Sequence, residues 1–273
     1  MAERNATTPK ENQPQNTLKS KAVAYVAMMS ALGTVLGLIS MLLVPFGPNV
    51  ALDLSHVGTY LVALPGGPIL GLITGALVGV IPGFRFANAA LIPGKMMTGV
   101  TVGLIAFLFK KIPKYKENKA LQILSIPIAG IVGYIPESIF TFWDLGIVMN
   151  FPGADAIILS IIIKAWIEII AISCLMTLIL NIPAIAQGIK GLIGEDAKLT
   201  AKEYLISGIV IGLSIAMLMG IFVNTGFMNI TEFGLDFKTP GLLLSVFFTW
   251  IIVTGVIVGV LAVILLVKLR QKV

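Results

Sequence analysis

Six runs of about twenty or more apolar residues, at positions 22–44, 89–109, 121–140, 156–180, 204–223 and 241–267, constrain this chain more than anything else in it. Each approaches or exceeds the ~20 residues that a helix needs to cross about 30 Å of hydrocarbon. Because lipid cannot hydrogen-bond a backbone, runs of this kind are stable only as helices. Composition agrees: 57% of the residues are hydrophobic and 12% charged, where a soluble domain carries about a quarter charged residues. The expectation is an all-α integral membrane protein, multi-pass and resident in the cell membrane, with the lipid bilayer as its first partner.

The segment from Pro45 to Pro82 breaks this pattern, because it carries charge and helix breakers where a span should be continuous. Pro65-Gly66-Gly67-Pro68 is a turn signal, since proline lacks the amide donor and glycine is the poorest ordinary helix former. Charge decides how the segment is threaded. If it crosses twice, the lysines of the N-terminal tail, of 110–119, of 190–202 and of 268–272 all fall on one side, as the positive-inside rule requires. If it crosses once, Lys110, Lys111, Lys114, Lys116 and Lys119 fall on the opposite side. Eight passes with both termini cytoplasmic are therefore expected, the second and third short and covered by protein or a wet cavity. Residues 1–21 read as a disordered cytoplasmic tail, 22–182 as a six-helix membrane domain, 183–203 as a cytoplasmic linker and 204–273 as a two-helix extension.

Several chemistries are set aside by the inventory. The single histidine, His56, and single cysteine, Cys174, provide no clustered N or S ligands for a metal and no disulfide framework. Gly94-Lys95 lacks the upstream glycine and following Ser or Thr of a phosphate-binding loop. No cofactor, no enzymatic activity and no nucleic-acid partner are expected.

With this threading, polar groups from separate stretches converge on the outer half of the bilayer. Lys164 lies about 12 Å down its helix, Glu168 about 18 Å and Lys95 about 9 Å, at 1.5 Å per residue. Glu137 lies near the outer end of the 121–140 span, Asp53 and His56 in the first outer connection, Asn88 and Arg85 in the next, and Trp143 in the loop after Glu137. Ions at such depth cost about 3 kcal/mol each on insertion scales and usually line a cavity filled by water or ligand. Structural roles compete with that reading. Lys164 and Glu168 are spaced to pair along one helix, Lys95 to snorkel, Asp53 to cap a helix starting at Leu54, and Arg85 and Trp143 to anchor at the interface. In the first helix, Ala27/Ala31 and Gly33/Gly37 form small-xxx-small pairs that permit close approach of another helix.

The Ala-x-x-x-Ala of the first helix, the Asp53-Leu54-Ser55 element, and the Gly-Pro turn followed by a Gly-rich helix (Gly67, Pro68, Gly71, Gly75) together resemble the substrate-binding S component of energy-coupling factor (ECF) transporters. The resemblance covers residues 20–182 and leaves the last two spans unmatched. It implies an uptake subunit that binds a vitamin or similar micronutrient from outside and delivers it with a transmembrane coupling protein and two ATP-binding subunits. It further implies that Ala27 and Ala31 face the coupling protein, and that Asp53, His56, Asn88, Lys95, Glu137, Trp143, Lys164 and Glu168 line the substrate cavity. There the lysines would meet a carboxylate or phosphate, Asp53 and Glu137 would pair them or take an amine, and Trp143 would offer a ring face. A stand-alone secondary transporter or channel, and an assembly protein without a small-molecule ligand, are the alternatives. The former would be expected to show broken helices in both halves, and only one such break is visible.

Overall fold

The computed structural model describes residues 15–43, 45–47, 50–149, 154–193 and 199–224. These form helices α1 (Gln15–Leu43), α2 (His56–Gly66), α3 (Pro68–Arg85), α4 (Leu91–Lys110), α5 (Lys119–Gly133), α6 (Ile135–Trp143), α7 (Ala154–Leu180), α8 (Pro183–Ile193) and α9 (Ala201–Asn224). A short antiparallel pairing of β1 (Pro45–Gly47) with β2 (Val50–Ala51) follows α1, and a π-helical turn, Asp144–Val148, continues α6. Six helical stretches among the described residues are long and apolar enough to span a membrane: α1, α3, α4, the run from Lys119 to Val148, α7 and α9. The protein is thus an all-helical, multi-pass membrane protein.

The Pro45–Pro82 segment does contain two helices, but the first is not a full span. Helix α2 has 11 residues, about 16 Å at 1.5 Å per residue, roughly half of the hydrocarbon thickness. It lies inside the bundle, packed against α1, α3, α4 and α7, with every residue but Pro65 buried. A membrane can host so short a helix only where protein covers its ends. At its C-terminal end the Lys110 ammonium donates to the carbonyls of Leu64 and Pro65, both at 3.4 Å. The turn into α3 falls at Gly67, whose φ of +85° suits a residue without a Cβ.

From that turn α3 runs back along α4 with glycines at 67, 71, 75, 79 and 83, four residues apart and so on one face. Their partners march the other way along the hairpin: Gly103, Gly99, Lys95, Ile92 and Asn88. A Cβ at Gly71 would collide with the Gly99 carbonyl, and one at Gly75 with the Lys95 carbonyl. Contact this close is how helices associate where the hydrophobic effect gives no preference for helix over lipid.

The packing also sorts charge by end. Tyr25 Oη of α1 donates to the Leu61 carbonyl (2.8 Å), while Gly37 of α1 abuts Asp53 and Ser55, so α1 and α2 are antiparallel. Gly66 lies near Ile193, and Gly67 near Glu203. Lys21, Lys110–Lys119, Lys190 and Lys202 therefore gather at one end of the bundle, the end where α2 stops; the 268–272 cluster lies outside the described residues.

Four expectations need correction. Helix α1 begins at Gln15, inside the segment read as a disordered tail, because the polar stretch runs directly into the apolar helix without a breaker; residues 1–14 lie outside the described part. The 121–140 span is longer, and bends at Tyr134 before Pro136, so Trp143 ends a helix rather than sitting in a loop. The segment read as a linker at 183–203 carries α8 and the start of α9, with Ile189 of α8 buried against Tyr25 and Val26. Of the two passes expected to be short, the third is not, since α3 has 18 residues and is long enough to span, and the expected last span, 241–267, lies outside the described residues.

Two glycines test this packing from opposite sides. Gly71→Val is expected to lower stability by about 1–3 kcal/mol through overpacking against immovable backbone. Gly188→Ala, on α8 where nothing lies within 4 Å of the added carbon, is expected to be neutral or to stabilise by up to about 1 kcal/mol. Unfolding of the detergent-purified variants checks both.

Candidate functional site

At the end of the bundle opposite the lysine loops, α1 opens a groove for the connection into α2. A Cβ at Gly33 would meet the Ser55 carbonyl at 2.7 Å, and one at Gly37 would meet the Ser55 Cβ at 2.8 Å. Ser40 holds the same connection from the side, accepting from the Leu54 amide at 3.0 Å and donating to the Gly37 carbonyl at 3.0 Å. The connection thereby delivers Asp53, Ser55 and His56 into the bundle, all buried.

Lys95, one turn inside α4, reaches across to them. Its ammonium donates to Asp53 Oδ2 at 2.7 Å and to Ser55 Oγ at 2.8 Å, and lies 3.1 Å from His56 Nε2. The other Asp53 oxygen accepts from the Ser55 amide at 2.9 Å, so Asp53 fixes the turn that leads into α2 while pairing with Lys95, and does not cap the helix, whose N-cap is Ser55. Burial opposes ionisation of Asp53, but the Lys95 ammonium and its hydrogen bond, with His56 adding to them, hold the carboxyl well below the usual carboxylate range.

Two more elements close the cluster. Glu137, in the first turn of α6, presents Oε1 to His56 Nε2 at 3.3 Å and accepts at Oε2 from the Thr98 hydroxyl. Glu168 of α7 accepts from the Asp53 amide at 2.7 Å and from Lys164 at 3.1 Å. Around this network stand aromatic rings in edge-to-face contact: His56 with Tyr60 (6.2 Å) and with Tyr134 (5.8 Å), and Tyr134 with Trp166 (5.3 Å). Tyr60 Oη is fixed on the Gly130 carbonyl at 2.8 Å, and Trp166 Nε1 on Ser138 Oγ at 3.1 Å. The structure thus brings together Asp53, His56, Lys95, Glu137, Lys164 and Glu168 from positions 115 residues apart at the extreme.

Asn88 and Trp143 are not in that cluster. Asn88 uses its amide to join the α3–α4 connection to the π-helical turn, donating to Asp144 Oδ2 at 2.7 Å and accepting from the Ala90 amide at 2.9 Å. Trp143 packs with Phe140 against the apolar cluster of Met97 and Met217, on the side of α9. Lys95 does not snorkel, since its partners lie inward. Lys164 and Glu168 do pair along one helix, yet Glu168 also holds the Asp53 backbone, so that pair belongs to the network. Ser55 entered the sequence reading only through the Asp53-Leu54-Ser55 element, and Thr98, Tyr60, Tyr134 and Trp166 did not enter it. The signal for Thr98 was available, three residues after Lys95 and hence on its helix face. That for the rings was not, because it depends on how α2, α6 and α7 meet.

Chemically, the cluster is a buried set of fixed charges and hydrogen-bonding groups. Among the described residues no three histidine, cysteine or carboxylate side chains form a metal-holding group. No protein-family model, curated protein or solved structure matches the chain.

Lys95→Met is expected to cost about 3–5 kcal/mol, the usual penalty for leaving one member of a buried pair uncompensated. The double variant with Asp53→Asn is expected to recover much of that loss. A double-mutant cycle by thermal unfolding measures the coupling, and additive losses would remove Asp53 as the main partner of Lys95.

Proposed function

We propose that this protein is the substrate-specific membrane subunit of an ECF-type uptake system. It binds a vitamin or similar micronutrient from outside and delivers it with a separate coupling protein and two ATP-binding subunits. The observation that carries this reading is the buried cluster of three carboxylates, two lysines and a histidine, drawn from five segments to the end of the bundle opposite the basic loops. Charge at membrane depth is expensive and is retained chiefly where a ligand or ion passes.

The two small-residue pairs of α1 support the same reading by their division of labour. Gly33 and Gly37 are consumed inside the chain, against Ser55 and Gly58. Ala27 and Ala31 point outward on an exposed face with Val35 and Leu38, a smooth surface suited to another membrane helix. The full pairing of both lysines favours a second reading, an assembly protein whose cluster serves as an internal lock. Mass spectrometry of small molecules released from the purified chain separates the two, because a lock carries no ligand.

Under the uptake reading, Lys164→Met lowers affinity for the co-purified compound by tenfold or more, about 1.4 kcal/mol; unchanged affinity removes Lys164 from the site. Ala27→Trp is expected to abolish uptake in cells while leaving binding by the purified protein intact. Loss of both would show that Ala27 serves internal packing.

A further inference from the structure

We infer that the α4–α5 connection, residues 110–119, is a binding site for the headgroup of an anionic phospholipid, with Lys114 at its centre; this goes beyond the uptake reading and does not depend on it. Five of the ten residues are lysines and one, Glu117, is acidic. All five lysines are exposed, at the end of the bundle where Lys21, Lys190 and Lys202 also gather. Charge alone would not require a site, since the positive-inside rule needs only lysines somewhere on this side. The conformation of the connection is what that rule leaves unexplained.

Lys114 has a φ of +63°, in the left-handed region that is costly for a residue with a Cβ and easy for glycine. Its neighbours hold it there. The Lys114 carbonyl accepts from the Glu117 amide at 3.0 Å and from the Asn118 amide at 2.9 Å, and Asn118 caps α5 by accepting from the Leu121 amide at 3.0 Å. Gln122 donates to the carbonyls of Tyr115 and Lys116 at 3.0 and 2.8 Å, while Tyr115 Oη lies 2.9 Å from Ser125 Oγ. A loop tied to its own helix in this way presents its lysine stems in one arrangement, which a flexible tail would have to order on binding. Glycine would make the same turn more easily, so a lysine at 114 is accounted for by its ammonium group.

The surroundings indicate which anion that group meets. The Ile112 amide donates to the Phe109 carbonyl at 3.0 Å, so the last turn of α4 continues past Lys110. Ile112, 42% exposed, thereby follows Leu108 on the outside of the span, and Ile123 and Leu124 are exposed where α5 begins. The lipid-facing apolar surface thus reaches the connection itself, with Lys111 placed over the Phe107 ring at 5.2 Å and Lys114 just beyond Ile112. Lysine stems that leave such a surface carry their ammonium groups to the level of the phosphates. An acidic protein surface would match the lysines alone, whereas a phospholipid matches the apolar strip with its tails and the lysines with its headgroup. Five lysines against one glutamate favour a headgroup of net negative charge, each lysine near such a surface contributing about fivefold in affinity.

The test follows lipid binding to the full chain in neutral detergent by native mass spectrometry, with phosphatidylglycerol and phosphatidylcholine of equal chain length as probes and inorganic phosphate and a poly-glutamate peptide as competitors. Phosphatidylglycerol is expected to bind at least tenfold more tightly than phosphatidylcholine, with neither competitor displacing it at equal concentration. Lys114→Gly is expected to weaken phosphatidylglycerol at least threefold, to leave phosphatidylcholine unchanged, and to leave the melting temperature in lipid-free detergent unchanged or raised. Lys114→Gln, which keeps most of the stem and loses the charge, is expected to show the same loss and decides the outcome if glycine loosens the loop; Lys114→Arg is expected to stay within twofold. Lys202→Gln, at the same end of the bundle on α9, is expected to change the affinity less than twofold. No preference for phosphatidylglycerol, or full affinity in Lys114→Gln, overturns the inference. An equal loss in Lys202→Gln overturns it in favour of diffuse charge, displacement by poly-glutamate in favour of an acidic protein partner, and displacement by phosphate in favour of a free anion.

Discussion

A helix of 11 residues that begins and ends inside a membrane protein must have its terminal groups satisfied by protein, and α2 sets this requirement for everything around it. At one end Lys110 covers its last carbonyls. At the other, the connection that leads into it is pinned by Ser40, turned by the Asp53 carboxylate on the Ser55 amide and neutralised by Lys95. The charged cluster is thus built at the point where the shortened helix leaves the far end of the bundle for other groups to fill.

Glycine makes the enclosure possible. Without side chains at Gly33, Gly37 and Gly58, α1 could not admit the 53–58 segment, and without the stripe on α3 the α3–α4 hairpin could not close against α2. Backbone contact at these places leaves little freedom to shift, which holds Lys95, whose carbonyl touches Gly75, at a fixed height. A rigid frame with its charged groups held in place loses little entropy when a ligand orders them further. The extension contributes to the frame as well: α9 packs on α4 and α6 through Met97, Val100, Phe140 and Trp143, and so backs the helix that carries Glu137.

Electrostatic balance gives the site its character. Two lysines placed beside two carboxylates would make a self-sufficient structural network, and such a network needs no ligand. The third carboxylate, Glu137, joins the network through the Thr98 hydroxyl and His56 Nε2, among aromatic rings, where the low dielectric magnifies each interaction.

The residues alone determined the membrane class and the break at Gly67. Each depends on composition or turn chemistry, which are local quantities. The sequence could not decide that Asn88 and Trp143 turn to other partners, or that Gln15 already belongs to α1. It could not reveal which group each carboxylate meets either, since Asp53, Glu137 and Glu168 look alike in a linear chain. Only the meeting of α2, α4, α6 and α7 distinguishes them, because charge pairing is decided by separations of about 3 Å between residues that the sequence holds up to 115 positions apart.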